Sequence, residues 1–430
     1  MRVLVIGGGG REHAIVWKLA QSPLISELYC LPGNPGIAKL ATCVPGSPSD
    51  IAGIVRFAVE RAIDLTIVGP EEPLCLGLVD ALAAVGRRAF GPTAAAAAIE
   101  GSKAFAKQFM IRHGIPTASY QVFDEPAVAL AFLASCRLPV VIKADGIAAG
   151  KGVVIARERA EAVAAAREML SGRAFGEAGR RIVVEEYLTG PEVSVMAFSD
   201  GTNIAVMPPA QDHKRAQDGD RGPNTGGMGT YSPVPFCTPE LMVEIRRTVI
   251  EPAIAGLRTE GRAFVGVLFA GLMLTPAGPK VLEFNCRFGD PETQSVLARL
   301  RSDLVEIALA CSEGRLDRCP VEFDARAAAC IILASGGYPG PYRKGVAIEG
   351  LAAAEAMEDV LVFHAGTAMV GGRLVTAGGR VFGVTGLGDD LEAALRRAYV
   401  AAEAIAFDGR QMRHDIGHQA LGEGIIPRDA

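Results

Sequence analysis

Residues 280–294 read KVLEFNCRFGDPETQ, and the rest of the chain is best understood from this stretch outward. Val281 to Cys286 alternates with the period of a strand, so Glu283 and Asn285 share one face while Leu282, Phe284 and Cys286 share the other. A carboxylate and an amide on one face of a rigid strand suit a hard cation such as Mg2+, which takes oxygen donors and shares its shell with phosphates. Alone, the pair reads equally well as a strand end with solvated charges. Arg287, Asp290 and Glu292 follow at once. Gly289 and Pro291 break the strand and start a helix near Glu292, which gathers charged groups and a helix N-terminus at one spot.

Composition sets the outer limits. The 430 residues, 50% hydrophobic and 21% charged, make a globular chain of about three domains at ~150 residues each. A net charge of -5 without any block of Lys and Arg argues against a nucleic-acid or anionic-membrane surface. Nine cysteines with no Cys-x-x-Cys pair fit reduced thiols and a cytoplasmic location. Mean hydropathy is +0.27, yet no charge-free apolar run reaches the ~18 residues of a membrane span. Met1 leads directly into a strand, where a signal peptide would have no room. Small-molecule partners and a monomer are expected.

The chain opens with a buried strand, Arg2 to Ile6, then Gly7 to Gly10, then a helix from Arg11, a turn that offers N–H groups to an anion. A dinucleotide fingerprint is incomplete, because the third glycine position holds Glu12 or His13, and no acid follows the second strand, Leu28 to Leu31. Arg11 and His13 read equally as first-turn helix residues with no ligand. A third strand, Asp64 to Val68, delivers Glu71 and Glu72 to the same edge as Pro32 to Gly36. Ser102 is placed to cap a helix running to His113, with Lys103 near its start, where a cation calls for an anionic partner. Pro139 to Ile142 is an apolar strand ending in Lys143, and a buried lysine needs an anion, for which phosphate is the candidate. The glycine-rich loop from Ala144 to Gly152, with Gly150 and Lys151, can fold closely over phosphates, although its spacing is not that of a P-loop. Further strands are expected from Arg181 to Leu188, in a hairpin of Val193 to Phe198 with Ile204 to Met207, and from Phe264 to Leu274, with a helix from Pro239 to about Leu257. Residues 211–229 lack periodicity and are rich in turn formers, which points to a working loop.

RFGDPETQ on such a strand resembles the signature of the phosphoribosylamine-glycine ligase (glycinamide ribonucleotide synthetase) family, ATP-grasp enzymes of purine synthesis, and the likeness extends over essentially the whole chain. Gly-Arg-Glu-His-Ala at 10 to 14 resembles the family's opening, which helps hold phosphoribosylamine. The resemblance implies that Gly9, Gly10 and Glu71 meet this substrate, Glu71 at its sugar hydroxyls. It assigns Lys103, Lys143, Gly150, Lys151 and Lys214 to nucleotide phosphates. Glu185, the backbone of Glu186 and Leu188, and Glu192 fall to the adenine and ribose. Asn224, Thr225, Gly226 and Gly227 would cradle the substrate carboxylate or acyl phosphate. Glu283 and Asn285 would hold Mg2+ or Mn2+, with Arg287, Asp290 and Lys214 as catalytic groups and Arg287 also on substrate. No Asp or Glu lies between Arg262 and Lys280, where many ATP-grasp enzymes place a further metal-binding acid.

The expected fold is α/β. An open parallel-sheet domain spans 1–101, an ATP-grasp domain with a mobile lid (about 117–188) spans 102–324, and a small β-rich α+β domain spans 325–430. The expected reaction joins glycine to 5-phosphoribosylamine at the cost of ATP, through glycyl phosphate. Another ATP-grasp ligase, or a nucleotide-binding regulatory module without turnover, is the alternative; ATP hydrolysis that depends on both substrates separates them.

Overall fold

The structure, a computed structural model, describes residues 1–147, 152–172 and 179–421. The chain opens with a five-stranded parallel sheet in which Arg2–Gly7 is central, flanked by Glu27–Pro32 and Leu65–Val68, with Thr42–Cys43 and Ala89–Phe90 at the edges. Val3, Leu4, Val5 and Ile6 are all fully buried, as a parallel strand covered on both faces requires. Strand order reverses about Arg2–Gly7, so the loops after it and after its two neighbours leave from one carboxyl edge, the usual ligand edge of an open α/β sheet.

Two antiparallel sheets follow. One orders Tyr120–Phe123, Ile182–Glu186, Val140–Ala144 and Val153–Ala156, with helices Pro126–Leu133 and Arg159–Leu170 packed on it. It has its own core, including Phe123, Ile142, Met169 and Val184. The other orders Ile204–Val206, Glu192–Asp200, Val265–Thr275 and Gly278–Asn285. Its core is continuous with the first and last sheets: Leu4, Val281 and Ile331 belong to one cluster. The expected helix from Pro239 runs to Thr259 through one wider turn, Arg246–Ile250. Pro252 explains that turn, since it has no N–H to continue the regular ladder.

Residues 211–229 are more ordered than their composition suggests. Arg215–Gln217 and Arg221–Asn224 form a hairpin. Gln211–Asp212 and Gly229–Ser232 join the C-terminal sheet, where Gly229–Ser232 pairs with Ala327–Ala334, followed by Arg380–Gly388 and Val360–His364. The division expected at residue 325 is therefore crossed by main-chain hydrogen bonds. The pairing is non-local, so no window of sequence around residue 220 contains it. The segment is also tied down from the C-terminal side: fully buried Arg413 bonds Asp220 at 2.8 Å and Asp415 at 2.7 Å, and Gly219 N–H donates to Asp415. No helix among the described residues is long and apolar enough to cross a membrane.

Candidate active site

The strand Gly278–Asn285 carries Glu283 opposite Gly271, so the neighbouring strand places no side chain against it. Glu283 keeps 37% of its side chain exposed to the cleft. Burial works against its charge, but Lys214, Lys143, Lys103 and Arg287 outweigh it and hold the carboxyl below its ordinary range. Two residues on, the Asn285 amide donates to Glu100 Oε1 at 3.0 Å and to the Phe284 carbonyl at 3.1 Å. With both partners acceptors, the nitrogen is assigned to that side and Oδ1 is left to act as an acceptor. An ionised carboxylate and an amide oxygen on one face form a donor set suited to a hard divalent cation. No cluster of three or more His, Cys, Asp or Glu among the described residues is placed to hold a metal without further donors.

Arg287 is held at all three nitrogens, by Glu71 at 3.1 Å, Glu100 at 2.9 Å and the Phe288 carbonyl at 3.2 Å. Burial disfavours its charge, yet Glu100 and Glu71 raise its pKa. Burial works against the charge of Glu71 as well, but Arg287, with Arg11 4.0 Å away, overcomes it and pulls Glu71 down to about 2. Glu71, expected at sugar hydroxyls, thus spends one oxygen on Arg287.

The lysines separate into two kinds. Lys143 does end a buried strand, but its anion is Glu185 at 2.9 Å on the paired strand, and Glu185 also binds Lys107 at 2.8 Å. Val141 faces Glu185 in the register, so Lys143 lies on the same face one pleat along, and the ion pair is a cross-strand diagonal. Phosphate is therefore not needed to balance Lys143, and Glu185 is enclosed between two ammonium groups. Burial pulls Lys107 down to about 8, against Glu185. Lys103 donates to the Gly146 carbonyl at 2.9 Å, and burial lowers its pKa despite Glu283. Ser102 caps the helix Lys103–Arg112 as expected, joined by Asp145, which accepts from Ala104 N–H at 2.7 Å and pairs with Arg181 at 2.6 Å. Lys214 lies 3.1 Å from Glu192 and 4.0 Å from Glu283, and Glu192 above all raises its pKa. Glu186 accepts from Ser119 N–H at 3.0 Å and Lys280 at 3.1 Å. Leu188 follows that strand as a half-buried residue. Gly150 and Lys151 lie outside the described residues.

The glycine run differs from its expected form. Gly226 N–H donates to Tyr338 Oη at 2.9 Å and Gly227 N–H to Thr225 Oγ1 at 3.0 Å, so neither N–H is open for an anion. Thr225 folds back on the Lys214 carbonyl, and Asn224 pairs with Arg215 in the hairpin. Tyr338 and Arg380 arrive from the C-terminal part of the chain, which sequence spacing does not bring near residue 226. Arg380 bonds the Gly226 carbonyl at 2.6 Å and Asp290 at 2.9 Å. Asp290, expected as catalytic, is thereby held ionised against burial by Arg380 and Arg11. Gly227 has φ +109°, and a Cβ there would fall 2.6 Å from Asp212 Oδ1, so glycine is required. Burial pushes Asp212 and nearby Glu292 upward, each aggravated or relieved by the charges around it. At the N-terminal edge Gly9 N–H donates to Glu12 at 2.7 Å, and a Cβ on Gly9 would lie 3.7 Å from Asp290. Gly10 opens the helix Gly10–Leu19, which packs on Glu292–Ala298.

The structure thus brings Lys103, Lys143, Lys214, Glu192, Glu283, Asn285, Arg287 and Glu71 around one cleft, with Gly9, Gly10 and Asp290 at its N-terminal rim. Sequence reasoning missed Glu100, Lys107, Asp212 and Arg380, and read the turn from Gly336 to Gly340, which holds Tyr338, as ligand-capable without placing it beside Gly226. Glu100 ends a low-complexity alanine helix and Lys107 follows Lys103 by one helical turn. The i, i+4 spacing of the two lysines was the only local signal.

Two antiparallel sheets joined where Lys143 donates to the Leu282 carbonyl at 3.0 Å, with carboxylate, amide and lysines gathered between them, define an ATP-grasp enzyme, an ATP-dependent ligase by class. The phosphoribosylglycinamide synthetase models match throughout: N domain over residues 1–100, ATP-grasp (A) domain over 101–293 and C domain over 328–419. The phosphoribosylamine–glycine ligase of Allochromatium vinosum is 52% identical over 428 residues, covering 98% of this chain and 99% of that one. The crystal structure of the phosphoribosylamine–glycine ligase of Thermotoga maritima matches with TM-score 0.85 at 35% identity, covering 97% of this chain and all of that one. The biotin carboxylase domain of Hydrogenobacter thermophilus 2-oxoglutarate carboxylase, solved with MgADP, shares the fold at TM-score 0.74 and 18% identity, covering 95% of this chain and 91% of that one. The chain belongs to the phosphoribosylglycinamide synthetase family.

Proposed function

We propose that this chain, as a cytoplasmic monomer, ligates glycine to 5-phosphoribosylamine with ATP and Mg2+ or Mn2+, yielding glycinamide ribonucleotide, ADP and phosphate. The observation that carries the reading is the convergence of Lys103, Lys143 and Lys214 on Glu283 beside an Asn285 whose amide oxygen is turned away from its own hydrogen-bond partners. Glu283 and Asn285 would hold the metal, which supplies charge neutralisation on the transferring phosphoryl group.

A carboxylate resists amines because it is already negative and its oxygen is a poor leaving group. One glycine oxygen therefore attacks the γ-phosphorus of ATP, ADP departs, and glycyl phosphate forms. Lys103 and Lys214 supply positive charge, Lys214 exchanging part of its pairing with Glu192 for phosphate oxygen. Arg287 lies at the same cleft with its plane fixed by Glu71 and Glu100, which suits it to orient an anion. The amine of phosphoribosylamine, presented from the Gly9–Gly10 edge, then attacks the carbonyl carbon. The C–N bond forms, the C–O bond to phosphate breaks, and the amine gives up a proton. The four-stranded sheet with its separate core is suited to move as a lid.

Glycine labelled with heavy oxygen in its carboxylate tests the sequence of steps. One label per turnover should appear in inorganic phosphate, since that oxygen bridges carbon and phosphorus. Phosphate free of label during productive turnover would exclude glycyl phosphate.

A further inference from the structure

Glu100 lies outside the residues that the resemblance or the strand motif draws attention to. It sits at the end of the helix Ala94–Gly101, with its side chain only 8% exposed. Its two oxygens meet three donors from consecutive residues of the metal strand and its exit: Oε1 accepts from Asn285 Nδ2 at 3.0 Å and Arg287 Nη2 at 2.9 Å, and Oε2 accepts from Cys286 N–H at 2.7 Å. One carboxylate thus sets both the amide that would face the metal and the guanidinium that would face the anion.

We infer that Glu100 is a positioning residue for the metal site, fixing Asn285 with its oxygen outward and Arg287 in plane beside it. The inference rests on Glu283 and Asn285 being the metal ligands. Its logic is one of donor and acceptor counting. The Cys286 N–H is part of the backbone and cannot turn, so whatever replaces Glu100 must keep an acceptor at the Oε2 position. In Glu100→Gln the amide oxygen takes that position and the NH2 takes the Oε1 position, facing two donors. Asn285 relieves its half of the conflict by rotating its amide half a turn, while Arg287 Nη2 loses its acceptor. Its oxygen then accepts from the new NH2, and its own NH2 points where the metal would be. A change of one atom on a helix thereby removes a metal ligand that it does not touch, the outer-shell effect that typically weakens metal binding ~10–100-fold.

The test is Mn2+ affinity in the complex with ADP, read by electron paramagnetic resonance of free Mn2+, without turnover. Wild type, Glu100→Gln, Asn285→Ala and the double variant form a cycle, with Glu100→Asp as a second probe that keeps the charge but withdraws it from Asn285. Glu100→Gln and Glu100→Asp should each weaken Mn2+ at least about tenfold, and Glu100→Gln should add little in the Asn285→Ala background, because both act through one ligand. If Asn285→Ala weakens Mn2+ while both Glu100 variants bind it as wild type does, the inference about Glu100 is wrong. Fully additive losses in the double variant also overturn it. If Asn285→Ala itself binds Mn2+ normally, the ligand assignment underneath has failed instead.

Discussion

Glu185→Gln tests the buried charge triad at its centre. Glu185 is 3% exposed and lies between Lys107, 2% exposed, and Lys143, 6% exposed, at 2.8 and 2.9 Å. Glutamine preserves shape but leaves two ammonium groups sharing a buried site with no counter-charge. Breaking a buried ion pair by removing one partner costs about 3–5 kcal/mol. At ~2–4 °C per kcal/mol for units of 150–250 residues, the melting temperature should fall by roughly 10 °C. The pH dependence has a definite sign. Burial brings the Lys107 ammonium down to about 8 in the fold from its ordinary 10.5, so between these values the unfolded chain binds more protons and stability rises with pH. Without Glu185 the lysine loses its proton lower still, and the deficit of the variant relative to wild type should be largest near neutrality and shrink above pH 8. Scanning calorimetry from pH 6.5 to 9.5 measures both, and the KM for ATP should rise as Lys143 loses its anchor. A variant that melts within about 2 °C of wild type at pH 7 would show that Glu185 is not enclosed by charged lysines, and the account of Lys143 would fall with it.

Two further outcomes are expected. Glu283→Gln should nearly abolish turnover while circular dichroism and melting stay close to wild type, because a neutral amide holds Mg2+ less well; near-normal activity at saturating metal would remove Glu283 from the metal site. Acid should destabilise the protein early: burial, chiefly, holds His13 at about 3 and His213 and His364 at about 4, each below its unfolded value. Their contribution is complete above pH ~6.5 and is lost as pH falls toward the folded values, with a slope approaching ~4 kcal/mol per pH unit when three protons are taken up on unfolding. A urea midpoint unchanged between pH 7 and pH 5 would contradict this.

What could be read locally was periodicity and punctuation. The run from Val3 to Ile6, the alternation from Glu283 to Cys286, Ser102 as a cap and the hairpin turned at Ser199 to Gly201 each declare themselves within a few residues, because strand period, capping and turn chemistry are short-range. The alternation expected to begin at Val281 is interrupted at Leu282, where a bulge shifts the register and Val281, not Leu282, is buried with Phe284. Resemblance in RFGDPETQ then named the family, which the full-length relatives share. Partnership was decided only by the tertiary structure. Lys143 needed an anion on any reading, but whether that anion was ligand or protein depended on a strand register that sets it diagonally across from Glu185. Residues 211–229 read as a loop since their stabilising neighbours, Ala327–Ala334, Tyr338, Arg380 and Arg413, lie about a hundred or more residues away. Glu100 and Lys107 carry no local signature, because a carboxylate beside an alanine run and a lysine on a helix acquire meaning only from the donors and charges that folding brings within 3 Å of them.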